Sequence, residues 1–523
     1  MSHTYADLLE FVDQAQVVAD APGLISPVAA ENSPPPNPNA QDLSGVIESD
    51  DDPHRLARVN LERYATRYDG RMLRLWRDEW YTWKRNAYRK ITEKELRAKF
   101  SMSIREEFVR LNRLQQEIAN SDDKGPAEVK KVSMHLVSNV LQATSGMVVV
   151  GADTEPNTWL PTHERKHYIS MNNGILDVDA VLADRDDHML PNSPQWFSMV
   201  SLPYAFNPDA KCPRWDAFLE HNLEMDPERI KILQEWAGYC LLPDTGEQKF
   251  MILEGEGANG KSVYTAALTA MLGEENVSTV PLEVFGDSFS KTSTLGKLLN
   301  AAGDCGELDK VAEGYLKSFT GGDRMFFNRK GVPGVDCLPT ARLMVACNNR
   351  PRIGDRSDGP WRRMLLIPWR IQITREKRIK GMDKVAWWQD NGELPGIFRW
   401  ALVGLARLKR QNGFTESTIM NEALAEYKEE MNPARSFLLH YMEPSTNGMV
   451  RAGTVYRFYK KWAEENGYRN LSERSFGKEV FRTFRNSKRI YRGTRDDRYW
   501  AYQGIQFSQA EICGEKTNEM QLF

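Results

Sequence analysis

The phosphate-binding pattern G-x-x-x-x-G-K-[ST] is matched by eight consecutive residues, Gly255-Glu256-Gly257-Ala258-Asn259-Gly260-Lys261-Ser262. Glycines allow successive backbone N–H groups to converge on a polyphosphate, and the helix that follows adds the positive end of its dipole. In this pattern Lys261 reaches the terminal phosphates and Ser262 binds Mg²⁺. The octapeptide therefore predicts that the chain binds ATP and Mg²⁺, with phosphate contacts from Gly255, Gly257, Asn259, Gly260, Lys261 and Ser262.

The residues on either side of this loop fit the elements that the pattern requires. The apolar run 250–253 predicts a strand before the loop, and residues 263–272, rich in helix formers and followed by Gly273, predict a helix after it. The alternative is a glycine-rich turn that binds nothing. The strand–loop–helix order favours the nucleotide site.

Polar side chains follow two further predicted strands. The run 298–303 leads into Asp304, with Glu307 three residues on, and the run 342–347 ends at Asn348. A carboxylate at such a strand end can hold Mg²⁺ through water, a second can activate the attacking water, and an amide can contact the γ-phosphate. We favour Asp304 for the metal and leave Glu307 as a candidate base, although either could be an ordinary loop acid.

A pair of arginines, Arg362 and Arg363, precedes the apolar run 364–368. A guanidinium neutralises charge that develops on a transferred phosphoryl group, so arginines on an interface can complete a neighbouring subunit's site. Two arginines engaged in surface salt bridges are the alternative.

Composition is that of a globular protein, with 41% hydrophobic and 27% charged residues. No apolar run approaches the length that a bilayer requires, and no secretory signal is recognisable. Six cysteines without C-x-x-C spacing indicate reduced thiols in a cytoplasm, the host's if a phage encodes the chain. These features exclude a membrane protein and a disulfide-stabilised secreted domain.

The net charge of −3 hides an uneven distribution. Residues 1–53 hold 10 acidic residues and no Lys or Arg, which leaves about +7 for the remainder. An acidic, largely disordered arm on a basic body is typical of a nucleic-acid binder. Residues 5–20 could form a short docking helix, although a solvated linker is the simpler interpretation.

Between the arm and the loop, the pattern predicts an α+β domain over residues 54–240. We expect a helix over 54–68, strands at 72–76, 80–83 and 87–91, helices over 93–120 and 127–146, a strand-rich stretch over 168–200 and a helix over 227–241. The aromatic residues of this region could stack on bases, but a Trp-rich meander is more often core.

Two basic segments are candidates for DNA contact. Arg329 and Lys330 lie where two short strands could flank a turn, and their phosphate contacts would be independent of sequence. Residues 431–500 hold 15 basic and 7 acidic residues; two predicted helices, 455–466 and 472–484, and two strands suggest a winged helix. Its candidate phosphate contacts are Arg482, Arg485, Lys488 and Arg489. In both segments an exposed basic surface without DNA is the alternative.

The chain resembles the superfamily 3 helicases, most closely the primase–helicases of satellite-phage and poxvirus type. The resemblance runs from about residue 54 to 505 and is sharpest between 255 and 368. Residues 316–323, LKSFTGGD, are similar to the family signature L-x-x-L-T-G-G-D; residues 348–353, NNRPRI, to N-x-x-P-x-I; and residues 358–363, DGPWRR, to D-G-x-W-R-R. Residues 208–215 resemble the segment that precedes the family's ATPase.

The resemblance implies a hexameric ring that hydrolyses ATP between subunits and moves 3′ to 5′ on single-stranded or forked DNA. It implies that Asp304 ends the second ATPase motif, Asn348 is the sensor, Arg362 or Arg363 acts in trans, and Lys330 lies on a channel hairpin. One departure is that the acidic motif reads Gly-Asp-Cys-Gly-Glu, without adjacent carboxylates. A primase would require a further domain that the short arm cannot supply, so we expect either a separate priming protein or the loss of that domain from this chain.

The expected fold is α/β, with an AAA+-like P-loop ATPase core over residues 241–375. We expect this core to follow the α+β domain and to precede a helical lid or linker over 376–430, the winged helix over 431–507 and a tail over 508–523. The predicted function is that of a replicative DNA helicase of a phage, satellite or plasmid-like element. The alternatives are an AAA+-type ATPase that remodels protein and an origin-binding module in which nucleotide only controls assembly.

Overall fold

The computed structural model describes residues 48–67, 70–119, 128–287, 289–303, 306–308, 310–355, 358–493 and 498–508. Most of the predicted arm, including the docking helix at 5–20, and nearly all of the predicted tail lie outside these ranges.

The first unit packs helices against a mixed four-stranded sheet, in the order β5-β4-β3-β6. Its elements are α1 (Pro53–Tyr64), β1 (Thr66–Arg67), β2 (Gly70–Arg71), β3 (Leu73–Trp76), β4 (Glu79–Lys84), β5 (Ala87–Ile91), α2 (Glu93–Ala119), α3 (Met134–Val148) and β6 (Val149–Val150). The three predicted strands and both long helices are confirmed. Trp76 and Trp83 are buried in the core rather than available for stacking, as the more conservative interpretation expected.

Local chemistry explains how this unit begins. Asp52 caps α1 by accepting the Arg55 backbone N–H at 2.8 Å, and Pro53 occupies the first turn, where no N–H is needed. The buried carboxylate of Glu107 on α2 binds Arg55 at 2.5 Å and Arg63 at 2.8 Å. Burial opposes ionisation, but hydrogen bonds from Arg110 and Arg55 prevail and lower the pKa of Glu107 to about 2. This ion cluster joins α1 to α2.

A second group of short strands and helices leads to the phosphate loop. They are β7 (Thr158–Trp159), β8 (Glu164–Arg165), β9 (Tyr168–Met171), β10 (Gly174–Asp177), α4 (Val178–Leu182), β11 (Met189–Leu190), β12 (Trp196–Phe197), α5 (Pro213–Asn222) and α6 (Pro227–Tyr239). The turn at Asn172 and Asn173 joins β9 to β10 in an antiparallel pair. The strand-rich stretch is thus confirmed.

A five-stranded parallel sheet in the order β14-β15-β19-β13-β21 forms the centre of the molecule. Its elements, with those inserted between them, are β13 (Phe250–Glu254), α7 (Lys261–Leu272), β14 (Val277–Ser278), β15 (Leu299–Ala302), β16 (Glu307–Leu308), α8 (Lys310–Gly321), β17 (Met325–Phe327), β18 (Val335–Cys337), β19 (Arg342–Cys347), β20 (Arg352–Ile353), α9 (Asp358–Arg363) and β21 (Met364–Pro368). Short 3₁₀ turns lie at Glu274–Asn276, Leu282–Gly286, Ser290–Thr294 and Arg375–Lys377. Because neighbouring strands are parallel, their carboxyl ends share one edge of the sheet, where open α/β sheets bind ligands.

Helices before and after this sheet share its hydrophobic core. One buried cluster extends from Ile169 to Met420 and includes Trp236 of α6, both faces of α7 and the helices that follow the sheet. Those helices are α10 (Val385–Asp390), α11 (Leu394–Gln411) and α12 (Thr418–Met431). A Cβ at Gly404 of α11 would lie 2.1 Å from the Gln234 carbonyl oxygen of α6, so only glycine permits this crossing. The predicted boundary at residue 240 therefore falls inside a common core.

The C-terminal unit combines three helices with an antiparallel sheet in the order β22-β24-β23. Its elements are α13 (Pro433–Tyr441), β22 (Met442–Arg451), α14 (Ala452–Glu465), α15 (Glu473–Thr483), β23 (Lys488–Gly493) and β24 (Arg498–Phe507). The two predicted helices and the two later strands are confirmed, whereas β22 was not predicted. Phe437, Tyr459 and Phe476 are at the centre of its own core.

No helix within the described ranges combines the length and the apolar character that a bilayer crossing requires.

Candidate nucleotide site

The phosphate loop lies at the carboxyl edge of the parallel sheet, between β13 and α7. Gly257 and Gly260 adopt φ of 99° and 97°, and Ala258 between them has a φ of 52°, a left-handed conformation that disfavours residues with a Cβ. A Cβ at Gly260 would lie 2.9 Å from the Phe218 ring, whereas one at Gly257 would meet nothing within 4 Å. The loop is thus packed on its inner side and open beside Gly257, as a polyphosphate cradle requires.

Lys261 begins α7 with its side chain folded back over this loop. Its ammonium donates to the Gly255 carbonyl oxygen at 2.5 Å, to Asn259 Oδ1 at 3.1 Å and to Asn348 Oδ1 at 3.4 Å. Only 6% of the residue is exposed, whereas Ser262 beside it is exposed at the helix start. A phosphate oxygen bound in the loop would take the place of these oxygens as the acceptor for the Lys261 ammonium. The exposed Ser262 hydroxyl can approach a metal ion. The residues present therefore fit ATP and Mg²⁺.

The predicted sensor, Asn348, meets this loop because two strands end together. In the ladder of β13 and β19, Glu254 pairs with Cys347, and the Gly255 N–H donates to the Cys347 carbonyl oxygen at 3.3 Å. Asn348 follows immediately and contacts Lys261. The structure thus joins two residues that lie 87 positions apart in the sequence.

Only part of the predicted acidic motif lies within the described residues. Strand β15 ends at Ala302, which pairs with Val345 of β19, so it points to the edge that carries the phosphate loop. Asp304 lies outside the described residues. The backbone of Glu307 belongs to β16, which pairs in parallel with β20 at Arg352. Among the described residues, no group of three or more His, Cys, Asp or Glu side chains forms a metal site by itself.

The two candidate finger arginines lie at the opposite edge of the sheet. Arg362 and Arg363 end α9 just before Met364, which pairs with Phe250 at the amino end of β13. Six residue steps then separate Arg363 from the level of Gly255, about 20 Å at about 3.3 Å per residue, which is farther than an arginine side chain reaches. Neither arginine can contact the phosphate loop of its own chain.

Three cations, Lys249, Arg362 and Arg363, lie close together at this amino edge. Arg362 is exposed, and its carbonyl oxygen accepts the Lys249 ammonium at 2.6 Å. Arg363 donates to the Gly359 carbonyl oxygen at 3.1 Å, and its buried Nε has no hydrogen-bond partner among the described residues. Burial and the charge of Arg362 lower the pKa of Arg363.

Strands β17 and β18 form the predicted hairpin around Lys330. Met325 pairs with Cys337, and Lys330 is exposed in the connecting loop. Arg329 is placed differently, since it is only 9% exposed. Its guanidinium donates to the Arg77 and Pro333 carbonyl oxygens at 3.0 and 2.6 Å and lies 3.2 Å from the Glu79 carboxylate. Arg329 therefore anchors the hairpin to the N-terminal unit, which leaves Lys330 as the hairpin's accessible cation.

The four C-terminal candidates are all exposed. Arg482 is in the last turn of α15, 3.4 Å from the buried carboxylate of Glu479, and Arg485 follows that helix. Lys488 and Arg489 begin β23, where the Arg489 guanidinium lies 4.7 Å from the Trp500 ring centroid. The segment 482–489 thus presents four cations to solvent.

Arg350 was not singled out from the sequence, yet it connects several parts of the site. Its guanidinium lies 2.6 Å from Glu254, the last residue of β13, and 2.9 and 3.1 Å from Glu426 and Glu430 of α12. Burial alone would lower the pKa of Arg350, but the carboxylates of Glu426 and Glu254 raise it above its ordinary value. The charge pattern alone could not reveal this contact, because its partners are up to 96 residues away.

An aromatic cluster beneath the loop was also missed. The Trp215 ring stacks on Phe218 and on Tyr264 of α7, each at 5.6 Å, and meets Trp388 and Trp400 edge to face. Segments before and after the sheet thus support the helix that begins at Lys261. The resemblance of residues 208–215 to a segment that precedes an ATPase was the available signal.

Three family descriptions match successive parts of the chain. "D5 N terminal like" matches residues 54–223, "Family of unknown function (DUF5906)" matches 253–363, and "Poxvirus D5 protein-like" matches 429–508. The second match contains the phosphate loop, Asn348 and the arginine pair.

Two viral relatives carry the name "Putative helicase". One, from Acanthamoeba polyphaga mimivirus, is 22% identical over 450 residues, which are 79% of this chain and 46% of the relative. The other, from Invertebrate iridescent virus 3, is 24% identical over 245 residues, which are 40% of this chain and 26% of the relative. The chain therefore spans less than half the length of these relatives. The apo A-form structure of the NrS-1 C-terminal region covers 87% of this chain and 100% of its own length, with a TM-score of 0.46 and 12% identity.

The fold is mixed α/β, and one edge of its parallel sheet carries a loop with the P-loop sequence pattern. Two of the matched segments, 54–223 and 429–508, carry D5 descriptions, and the two viral relatives are named putative helicases. In these segments the chain resembles the D5-type primase–helicases.

Proposed function

We propose that this chain is an ATP-dependent replicative DNA helicase of superfamily 3, with an AAA+-like core, that works as a hexameric ring and moves 3′ to 5′. The observation that carries the proposal is the convergence of Lys261 and Asn348 at one edge of the sheet while Arg362 and Arg363 lie at the other. A site divided in this way is complete only when a second copy supplies its arginine edge to the phosphate loop.

Each half of the site has its own task in this proposal. The loop N–H groups and Lys261 hold the phosphates, Ser262 and Asp304 hold Mg²⁺, and Asn348 positions the γ-phosphate or the attacking water. Bound Mg²⁺ neutralises charge on the phosphate oxygens. Glu307 is retained as the candidate base, and Arg362 or Arg363 stabilises the transition state of the neighbouring subunit.

DNA contact is assigned to two surfaces. Lys330, held out by the Arg329 anchor, contacts the phosphates of a strand in the ring. In the C-terminal unit the order helix, strand, two helices and two strands supports a winged helix, with Arg482, Arg485, Lys488 and Arg489 as phosphate contacts. We propose single-stranded and forked DNA as substrates, with a separate protein for priming.

A strand-displacement assay tests the proposal. With ATP and Mg²⁺, the full chain should unwind a 3′-tailed duplex and fail on a 5′-tailed one. Failure on both, together with ATP hydrolysis that single-stranded DNA does not stimulate at low salt, would favour an ATPase that remodels protein.

Lys330→Ala should abolish strand displacement while basal ATP hydrolysis stays within about twofold, because Lys330 lies outside the nucleotide site. Lys377→Ala, which removes an exposed lysine beyond the sheet, is the matched control and should unwind normally. Persistent unwinding by Lys330→Ala would show that the hairpin is assigned wrongly.

Arg350→Gln should lower kcat for ATP by about ten- to a hundredfold, because Asn348, two residues away, would lose its fixed position. We expect KM to change less than kcat, since no contact to the loop itself is removed. Glu430→Gln weakens only the exposed end of the same network and should stay near wild type. An unchanged kcat in Arg350→Gln, measured by steady-state turnover, would rule out this positioning role.

A further inference from the structure

The C-terminal sheet exposes two large aromatic side chains side by side. Tyr491 on β23 and Trp500 on β24 are directly opposite in the antiparallel register, with ring centroids 4.9 Å apart. They are 52% and 47% exposed, although most aromatic residues of this unit are buried in its core. We call this pair the wing platform.

Arginines border the platform without covering it. The Arg489 guanidinium lies 4.7 Å from the Trp500 ring centroid, and that of Arg498 lies 5.9 Å from the Tyr491 centroid. A guanidinium at this distance contributes a cation–π contact and keeps the ring in place while part of the ring remains open. Arg489, which the sequence offered as a phosphate contact, is thus also a support for Trp500.

The charged residues on the two strands of the platform are all basic. Strands β23 and β24 carry Lys488, Arg489, Arg492 and Arg498 and no acidic residue. Residues 494–497 add one arginine and two aspartates, so the segment 488–507 keeps a surplus of three positive charges. A polyanion is the partner that this surface attracts.

The platform is connected to the helix that the winged-helix arrangement would present to DNA. Tyr502 lies two residues beyond Trp500 on the same face of β24, and its ring meets Phe481 of α15 at 5.7 Å. Helix α15 exposes Arg474, Lys478 and Arg482 to solvent. Tyr502 is itself buried, so the platform and helix α15 are held together by the core of the same unit.

We propose that the wing platform is a base-stacking site for single-stranded DNA, separate from the Lys330 hairpin; this rests on the proposed action of the chain on DNA. Exposed rings interleaved with cations bind single strands because every unpaired base offers a flat face, while phosphates pair with the arginines and lysines. Paired bases in a duplex offer only their edges in the grooves. The platform therefore binds an unpaired strand in preference to a duplex.

The test is equilibrium binding of a labelled oligo(dT) to the full chain without nucleotide, over a range of salt concentrations. Trp500→Leu and Tyr491→Leu should each weaken binding by about five- to hundredfold with an unchanged salt dependence, because stacking releases no counterions. Lys488→Ala should instead reduce the salt slope by about one. Trp500→Phe should retain most of the affinity, and Met449→Ala, which shortens an exposed apolar side chain on β22, should bind like wild type.

Two results would overturn the proposal. One is wild-type affinity in Trp500→Leu. The other is an equal loss on oligo(dT) and on blunt duplex, which would indicate a damaged unit. Tryptophan fluorescence gives a second readout that does not depend on the fold of the leucine variant. Oligo(dT) should quench the fluorescence of wild type more than that of Trp500→Phe. Equal quenching would also count against stacking. The binding test does not measure unwinding. Its result can therefore be interpreted even if the chain fails in the strand-displacement assay.

Discussion

Lys261→Ala should lower ATP turnover by about a hundredfold or more, because it removes a preorganised cation from the place where phosphate charge develops. In the structure this ammonium reaches Gly255, Asn259 and Asn348 together, so no other described side chain occupies its position in the loop. Lys261→Arg should rescue little of the activity, since the planar guanidinium cannot fold back over the loop in the same way. The measurement is steady-state phosphate release with and without single-stranded DNA.

Lys231→Ala provides the matched control, since it deletes an exposed lysine on α6 away from the loop. It should hydrolyse ATP at the wild-type rate. Steady turnover by Lys261→Ala, with a thermal unfolding midpoint like that of wild type, would mean that the P-loop pattern does not mark the catalytic site. Loss of turnover would exclude the alternative in which nucleotide only controls assembly.

Mixing two inactive variants should restore activity if the site is shared between copies. Lys261→Ala keeps the arginine edge, and a finger variant, Arg362→Ala or Arg363→Ala, keeps the loop. In a random equimolar ring about a quarter of the interfaces would join an intact loop to an intact arginine, and turnover should recover to a similar fraction. Only the variant of the true finger should lose activity alone and regain it in the mixture.

A mixture that does not recover activity would also be informative, because of the position of the two arginines. Arg362 and Arg363 lie about 20 Å from the loop of their own chain, along strands that rise about 3.3 Å per residue. Neither arginine can therefore complete the loop of its own chain without refolding of the sheet. If neither mixture recovers activity while both arginine variants are inactive, the arginines serve the fold rather than a neighbour. If both variants are fully active alone, the finger lies elsewhere.

Local sequence patterns predicted the elements of the site well. The predicted strand over 342–347 coincides with β19, because its apolar run 343–347 needs burial on two faces. The loop between strand and helix and the hairpin around Lys330 also follow from short-range rules for glycine and for alternating strands.

The remaining features depend on contacts between distant residues. Nothing local distinguishes Arg329 from Lys330, yet the first is held by Glu79 and Arg77 of the N-terminal unit and the second is exposed. The link between Arg350 and α12 likewise exists only because β13 and β19 end side by side. Strand β22 was missed because Pro444 and Gly448 interrupt it, and its pairing with β24 shifts register between Pro444 and Met449.

The close contact of α6 with α11 has a practical consequence for handling the protein. These helices meet at Gly238 and Gly404, and the fully buried carboxylate of Glu235 binds Arg407 at 2.6 Å. A gene fragment that starts at residue 241 would lack α6 and would leave apolar surface of α7 and α11 in water. Conversely, a chain cleaved by protease between β21 and α10 should stay assembled through the packing of α6 on α11. The two pieces should elute together in size-exclusion chromatography and separate only in denaturant.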